Sequence, residues 1–159
     1  MIIGKGNVAS VINDREGALF FASGVSNSGC RNYKEFNRER DLLERQRKDL
    51  CLFYFGSISM YSVNSPYTTH KRKMEAYIRM AFKNYNIIRL GNLDWDTNPN
   101  TFLNYLRAKQ AVGEPITIRD EYKFMVSKEQ LQLITGCLPL TGQNEINIFG
   151  DMKKVIDLI

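Results

Sequence analysis

The chain of 159 residues has few residues that bind metals or form disulfides, with one histidine and three cysteines. Cys30, Cys51 and Cys137 are scattered without a C-x-x-C spacing, so we expect reduced thiols. With one histidine and no clustered thiols we expect no metal site. The chain has no apolar run near the ~20 residues of a membrane helix and no signal-peptide pattern. We therefore expect a cytoplasmic protein with no membrane partner.

Charge is moderately positive, with a net charge of +5 and an isoelectric point near 9.1. This excess suits an anionic partner, but it does not specify nucleic acid. The segment 38–48 mixes acidic residues, including Glu39, with basic ones, which is typical of a solvated helix face. We therefore expect no nucleic-acid binding, and we predict that this helix turns Phe36, Leu42 and Leu43 inward.

Apolar strand patterns alternate with helical patterns along the chain, without an internal repeat or a long linker. This alternation predicts one α/β domain with a mainly parallel sheet and helices against its faces. Strands are predicted at residues 1–3, 18–22, 50–55, 86–90, 116–118, 123–126 and 145–149. Helices are predicted from the Gly4 turn to near Asn13, at 32–47, 65–83, 99–111 and 127–136, and after a cap at Asp151.

A glycine-rich turn, Gly4-x-Gly6-x-x-Ala9, follows the first predicted strand and precedes a predicted helix. This is the setting of a dinucleotide-binding turn. Its glycines let the backbone approach a pyrophosphate, and the helix N-terminus supplies free N–H donors and a positive dipole end. Such turns also occur for geometric reasons alone, so both interpretations stand.

A hydroxyl, a phenol and an ammonium group occur close together between Ser57 and Lys71. Ser57 ends an apolar strand, and Ser65 with Pro66 favours a helix that starts just before Tyr67. Tyr67 and Lys71 are four residues apart, so they lie on one helix face. Ser57 can reach the same crevice, because open α/β sheets bind ligands at the carboxyl ends of their strands. The trio can move a proton to or from a carbinol or carbonyl while a nicotinamide moves the hydride.

A second tyrosine–lysine pair in the chain serves as an internal comparison. Tyr105 and Lys109 have the same spacing, but no serine-bearing strand precedes their helix. We interpret this pair as structural, with Tyr105 packed and Lys109 solvated. His70 lies inside the first pair, and we interpret it as a packed or exposed residue rather than a catalytic one.

Several stretches together resemble a known family: Phe55-Gly56-Ser57-Ile58-Ser59-Met60-Tyr61, Ser65-Pro66-Tyr67-Thr68-Thr69-His70-Lys71, Ile87-Ile88-Arg89-Leu90-Gly91-Asn92, Ala22-Ser23-Gly24 and Glu145-Ile146-Asn147-Ile148. They resemble the extended short-chain dehydrogenase/reductase family of sugar-nucleotide epimerases, dehydratases and reductases. The resemblance implies a truncated Rossmann-like parallel sheet with flanking helices. Residues 1–112 would form a shortened dinucleotide-binding core, and residues 113–159 a small substrate-side segment of the same compact unit.

The resemblance also implies roles for individual residues. Tyr67 would be the general acid/base, Lys71 would favour the phenolate and hold the nicotinamide ribose, and Ser57 would orient the substrate oxygen. The implied cofactor is NAD or NADP, and the residues implied to bind it are Gly4, Gly6, Asn7, Ala22, Ser23, Gly24 and Lys71. The implied substrate is a nucleotide-linked sugar, contacted by Ser59 and Asn92. A homodimer through the helices at 32–47 and 65–83 and a place in surface-polysaccharide synthesis are implied in the same way.

The chain departs from the family pattern at two points. The second and third strands of the family are missing, and no acidic residue for the adenosine ribose follows the glycine turn by about 20 residues. Either the cofactor binds weakly, or the protein is a non-catalytic module that binds a sugar nucleotide or a partner. Ile58 and Ser59 replace the Asp-Glu pair of the dehydratases, which leaves 4-keto reduction or epimerisation. A weakly held cofactor suits a reductase better than an epimerase.

Overall fold

The fold contains two sheets and four α-helices, in a computed structural model that describes residues 1–95, 97–99 and 101–159. The strands are β1 (Ile2–Ile3), β2 (Ala18–Phe21), β3 (Cys51–Ser57), β4 (Tyr85–Leu90), β5 (Asn92–Leu93), β6 (Tyr122–Val126), β7 (Gln143–Ile148) and β8 (Asp151–Lys154). The helices are α1 (Tyr33–Glu44), α2 (Pro66–Ala81), α3 (Phe102–Ala111) and α4 (Lys128–Cys137), with 3₁₀ turns at Ile58–Tyr61 and Val155–Leu158.

The larger sheet has the strand order β1-β2-β3-β4-β7, and every neighbouring pair is parallel. The carboxyl ends of all five strands therefore lie at one edge of the sheet. Strand β7 comes from the segment 113–159 and completes the sheet beside β4. Residues 1–112 and 113–159 thus share one sheet, and the predicted division between a dinucleotide-binding core and a substrate-side segment stays a prediction.

Both faces of the central strands β2, β3 and β4 are largely buried, as their continuous apolar sequences require. On one face, Leu19 and Tyr54 pack with Leu43 of α1 and Met74 of α2. On the opposite face, a second cluster contains alternate strand residues, the turn after β1 and α4: Val11, Ile12, Phe20, Phe53 and Leu131. The alternation follows from the two-residue period of a strand, which points successive side chains to opposite faces.

The smaller sheet has the order β5-β6-β8, and two of its three strands were not predicted. Asp151 begins strand β8, which pairs antiparallel with β6, so the predicted terminal helix is wrong. Residues 116–118 form no strand. The two-residue strand β5 was not predicted, since it is too short to show a pattern.

The segment after Gly4 forms successive turns instead of the predicted helix. One helix-like hydrogen bond runs from the Ser10 N–H to the Gly6 carbonyl, at 3.0 Å. Gly4 has φ of 132°, a backbone conformation that glycine adopts easily, and a Cβ there would lie 2.4 Å from the carbonyl oxygen of Ala22. Gly4 is therefore needed for the close approach of this turn to the end of β2.

Strand β1 lies at the edge of the larger sheet and pairs with β2 alone. The described residues contain no strand on its outer side. The sheet thus lacks the two strands whose absence the sequence indicates. Among these residues there is also no helix that is both long enough and apolar enough to span a membrane.

Helix α2 begins at Ser65, as its sequence predicts. The Ser65 hydroxyl accepts the Thr68 N–H at 3.2 Å, and the Thr68 hydroxyl accepts the Ser65 N–H at 2.9 Å. This capping box satisfies two backbone donors that the first helical turn would otherwise leave unpaired. It fixes the start of the helix two residues before Tyr67.

We expect Ser65→Ala to lower the free energy of unfolding by about 1 kcal/mol, because it removes the cap of α2. Ser62→Ala is the matched control, since Ser62 is an exposed serine three residues earlier. Its effect should stay within about 0.5 kcal/mol. Urea unfolding followed by circular dichroism measures both values. Equal losses for the two variants would contradict the role given to the capping box.

Candidate functional site

A cleft of about 730 Å³ lies at the carboxyl-end edge of the larger sheet. Among its lining residues are ten of the predicted site residues: Gly6, Asn7, Ala22, Ser23, Gly24, Ser57, Ser59, Tyr67, Lys71 and Asn92. Gly4 is the exception, since it lies against the backbone of Ala22 at the end of β2 and does not line the cleft. The fold therefore brings the predicted catalytic, cofactor and substrate residues to one cavity, and their roles stay predictions.

The glycine turn forms one end of the cleft. Nothing lies within 4 Å of the position that a Cβ on Gly6 would take, so its backbone faces open space. The Asn7 carbonyl accepts a hydrogen bond from the Trp95 indole at 3.2 Å, and Thr97 donates to the Asn7 side chain at 3.0 Å. The segment after β5 thus covers the turn. Because turns replace the predicted helix, the segment after Gly6 supplies no helix dipole to this end of the cleft.

Ser57 and Tyr67, two residues that carry hydroxyl groups, line the same cavity. The Ser57 Oγ lies 2.8 Å from the Ser59 Oγ and accepts the Ser59 N–H at 3.2 Å, which caps the short 3₁₀ turn after β3. Tyr67 lies in the first turn of α2 and packs against Val25 and Phe36. The two hydroxyls come from adjacent elements, which is the arrangement that the sequence predicts.

Lys71 is almost fully buried, and Glu39 of α1 binds its ammonium group. The Nζ lies 3.0 Å from Oε1 and 3.2 Å from Oε2 of Glu39. A Cβ on Gly24 would lie 2.8 Å from this Nζ, so a larger residue at that turn would require the ammonium group to shift. Two of the three ammonium donors are therefore engaged by protein.

Glu39 is fully buried, with 0% of its surface exposed, and it joins three parts of the fold. Besides Lys71, its carboxylate accepts hydrogen bonds from the Val25 N–H at 2.7 Å and the Tyr54 hydroxyl at 2.8 Å, and His70 Nε2 lies 3.0 Å from it. Burial alone would raise the pKa of Glu39, but the Lys71 charge and the bonds from His70 and Val25 hold that pKa far below its usual range. Burial raises the pKa of Tyr54 well above its usual range, so this phenol remains a donor.

Glu39 is the exception to the solvated face predicted for segment 38–48, in which Arg38, Arg40 and Glu44 are exposed. Glu39 lies on the inward stripe of α1, between the buried residues Phe36 and Leu43. That helical spacing was the signal in the sequence, and the charge of the residue concealed it. His70 has a buried position, stacked on Phe36 at 4.5 Å between ring centroids.

A second buried ion network lies behind the cleft, beside β4. Arg89 donates to both oxygens of Glu75, at 2.8 and 2.6 Å, and to Glu145 at 2.6 Å. It also donates to the Tyr61 hydroxyl at 2.9 Å. Hydrogen bonds from Arg79 and then Arg89 lower the pKa of Glu145 to about 2. The network ties α2 to β4 and β7 and so supports the wall of the cleft.

The comparison pair Tyr105 and Lys109 lies outside the cleft, and its tyrosine is exposed. Tyr105 has 53% of its surface exposed, so the prediction that it packs is wrong. Lys109 is not fully solvated either, since its Nζ lies 5.2 Å from the Tyr105 ring centroid and 3.5 Å from Glu114. Spacing alone therefore does not place a tyrosine and a lysine in a cavity.

The described residues that line the cleft include three cations and no acid. The cations are Lys5, Arg38 and Lys71. Arg38 donates to the Ser23 carbonyl at 3.2 Å and holds the end of β2. Sequence reasoning did not single out Lys5 or Arg38. Glu39 compensates Lys71 and Glu35 pairs with Arg38 at 3.0 Å, so among these three cations Lys5 offers the least compensated charge to a ligand.

Comparison with known proteins identifies a shared fold. No family model and no curated protein matches the chain. Among solved structures, the enzyme WbmH of Bordetella bronchiseptica, in complex with NAD⁺, has a TM-score of 0.69 at 12% identity over 89% of this chain and 55% of that one. UDP-glucuronic acid 4-epimerase of Bacillus cereus, in complex with a UDP-sugar analogue and NAD, has a TM-score of 0.62 at 13% sequence identity. The match covers 95% of this chain and 59% of that one.

A third similar structure is the capsular polysaccharide assembling protein CapF of Staphylococcus aureus, with a TM-score of 0.55 at 16% identity over 95% of this chain and 44% of that one. The chain thus spans about half the length of the proteins it matches. At these identities the likeness concerns the fold. It confirms the shortened Rossmann-like α/β sheet that the sequence resemblance implies.

Removing one partner of the Glu39–Lys71 pair should destabilise the protein strongly. We expect Lys71→Met to cost about 3–5 kcal/mol, because it leaves a buried carboxylate without its cation. The exposed Lys73→Met on the same helix is the control and should change stability by less than about 0.5 kcal/mol.

The double variant Glu39→Gln/Lys71→Met should recover much of this loss, since no unpaired charge remains and the amide oxygen still accepts from Val25. Urea unfolding at pH 7 measures all three variants. A double variant less stable than Lys71→Met alone would show that the charge of Glu39 is not the cause.

Proposed function

We propose that the protein is an NAD(P)-dependent enzyme of the extended short-chain dehydrogenase/reductase type that acts on a nucleotide-linked sugar. The reaction proposed is 4-keto reduction or epimerisation, with reduction preferred. The fold likeness to a capsular polysaccharide assembling protein supports surface-polysaccharide synthesis as the setting. Three free thiols are compatible with a cytoplasmic location, which stays a prediction.

One observation carries this proposal: Ser57, Tyr67 and the glycine turn line the same cleft. The cleft lies at the carboxyl ends of parallel strands, where open α/β sheets bind ligands. Its volume of about 730 Å³ is in the range of small-molecule sites. Hydroxyls that can exchange a proton thus share a cavity with a backbone turn that a phosphate can approach.

The cleft fits one part of a dinucleotide better than the other. Open space at Gly6 and the cations Lys5 and Arg38 suit the phosphates, and the Ser57–Tyr67 end suits the nicotinamide side. No described strand extends the sheet past β1, and the described lining has no carboxylate for an adenosine ribose. A bound reduced nicotinamide would supply the hydride for a carbonyl carbon.

The proposed roles of the side chains follow from their positions. Tyr67 would exchange a proton with the substrate oxygen, and Ser57 would orient that oxygen. Ser59 shares the hydroxyl hydrogen bond of Ser57 and would contact the sugar. Asn92 lines the cleft and donates to the Phe124 carbonyl at 3.2 Å, which sets its side chain for a sugar or phosphate contact.

Lys71 has a narrower role in this proposal than the resemblance implies. Its ammonium already donates to both oxygens of Glu39, so one donor is left for a ribose hydroxyl. Within the family-like chemistry, Ile58 and Ser59 in place of an acidic pair disfavour dehydration. A homodimer through α1 and α2 stays a prediction.

The second candidate is a non-catalytic module that binds a sugar nucleotide or a partner. Two observations favour it. Glu39 forms an ion pair with Lys71, the lysine of the trio, and among the described residues no strand lies beyond β1 to contact an adenosine. The cationic lining would still attract a diphosphate. Cofactor binding separates the two candidates.

We expect NADH and reduced nicotinamide mononucleotide to bind with affinities within about threefold, a difference below about 0.7 kcal/mol, because the adenosine half finds few contacts. Nicotinamide fluorescence or calorimetry measures both. Gly6→Leu is the blocking control, since Gly6 lines the cleft and nothing lies within 4 Å of the position that its Cβ would take. No binding of either ligand at millimolar concentration would favour the binding module. A preference for NADH above about tenfold would reveal an adenosine site.

We expect Tyr67→Phe to lower the oxidation of NADH by a 4-keto sugar nucleotide by about 10²–10⁴-fold, because it removes the proton donor. Tyr105→Phe is the matched control, since Tyr105 has the same lysine spacing outside the cleft, and it should change the rate by less than about twofold. Unfolding midpoints establish that both variants fold. An unchanged rate in Tyr67→Phe would reject Tyr67 as the acid/base.

A further inference from the structure

The charge around Tyr67 differs from that of a site with a free lysine. The Lys71 Nζ lies 5.6 Å from the Tyr67 ring centroid. A free ammonium at that distance would favour the phenolate over the phenol. Here the Glu39 carboxylate lies 3.0 Å from the same Nζ, so the pair carries no net charge toward the ring. Opposite charges this close largely cancel at a group farther away.

Titratable and charged groups face this region from every element packed around it. They are Lys71, His70 and Glu75 of α2, Glu39 and Arg38 of α1, Tyr54 of β3, Cys30 in the loop before α1, and Lys5 in the turn after β1. His70 and Tyr54 both bond to Glu39, and Arg38 is paired with Glu35 at 3.0 Å. Glu39 is the only carboxylate that contacts Lys71 among the described residues.

We propose that Glu39 is a positioning residue that cancels the charge of Lys71 toward Tyr67 and so keeps the Tyr67 hydroxyl a proton donor. This inference rests on the proposed function and gives that reaction a direction. A site that holds a phenol is set to reduce a carbonyl. A site that begins by oxidising a carbinol, as an epimerase must, needs a base at the same position.

The proton step of a reduction can be written for these residues. The carbonyl carbon accepts the hydride that the proposed cofactor supplies, and the carbonyl π electrons move onto its oxygen. The Tyr67 O–H bond breaks as its proton passes to that oxygen, which yields the alcohol and a phenolate. The phenolate regains a proton from water before the next turnover. Glu39 takes no proton in this sequence, since its carboxylate stays bound to Lys71.

Four proteins with different charges on the buried pair test the inference without substrate or cofactor. Glu39→Gln leaves a net charge of +1, Lys71→Met leaves −1, and the natural chain and the double variant Glu39→Gln/Lys71→Met leave none. Phenolate absorbance at 295 nm is followed against pH for each protein. The same titration after adding Tyr67→Phe isolates the signal of Tyr67 by difference.

The expected order of ionisation follows the charge of the pair. Tyr67 should ionise at the lowest pH in Glu39→Gln, by about one pH unit or more, and at the highest pH in Lys71→Met. The natural chain and the double variant should coincide between them. A purely structural role for Glu39 would not produce this order, and four coincident curves would overturn the inference. If either Glu39→Gln or Lys71→Met does not fold, the other single variant still decides, because it must separate from the two neutral proteins.

Failure of the inference can be distinguished from failure of the proposed function. The expected order together with an absence of NADH oxidation would leave the charge effect of Glu39 standing and remove the reductase. Turnover with coincident curves would keep the enzyme and remove Glu39 from the control of Tyr67. If the protein is a reductase in which Glu39 controls the ionisation of Tyr67, the rate of NADH oxidation should decrease with rising pH in both proteins. The decrease should begin at a lower pH in Glu39→Gln than in the natural chain.

Discussion

A carboxylate inside a protein is stable only when other groups compensate its charge, and this requirement makes Glu39 the junction of the fold. Its partners come from the loop after β2, from strand β3 and from helix α2. These are the elements whose ends form the cleft. The same five hydrogen-bond contacts that satisfy the carboxylate therefore set the spacing between α1 and α2, the path of the Ala22–Val25 turn and the position of Lys71.

The main sheet and the site could largely be predicted because their signals are local. Continuous apolar runs identify β2, β3 and β4, and Ser65 with Pro66 identifies the start of α2 within one residue. Parallel strands bring their carboxyl ends to one edge, so residues that follow them in sequence meet in space. The convergence of Ser57 and Tyr67 follows from that rule, without knowledge of the packing.

The prediction is wrong where contacts between residues distant in the sequence determine the secondary structure or the burial of a side chain. Strand β8 exists because β6 offers it an edge, and no property of the segment after Asp151 alone indicates that pairing. Residues 116–118 have a strand-like composition, but no neighbouring strand pairs with them in the described structure. Glu39 was assigned to solvent because charged residues usually are. Its true position depends on four partners that are distant in the sequence, and only the assembled helices bring them together.

The truncation of the sheet and the pairing of Lys71 act on different parts of the proposed chemistry. Loss of the strands beyond β1 removes contacts to the adenosine half of a dinucleotide, and contacts of that kind contribute affinity rather than reactivity. The Glu39–Lys71 pair acts beside Tyr67, where proton transfer would occur, and it favours one protonation state of the phenol. A cofactor that leaves after each turnover and an acid that is restored from water are both sufficient for a reduction. Epimerisation requires a cofactor that stays bound, since the oxidised intermediate must remain beside it until the hydride returns. It also requires that the same phenol first acts as a base. The truncation of the sheet and the pairing of Lys71 with Glu39 thus favour the same reaction for independent physical reasons.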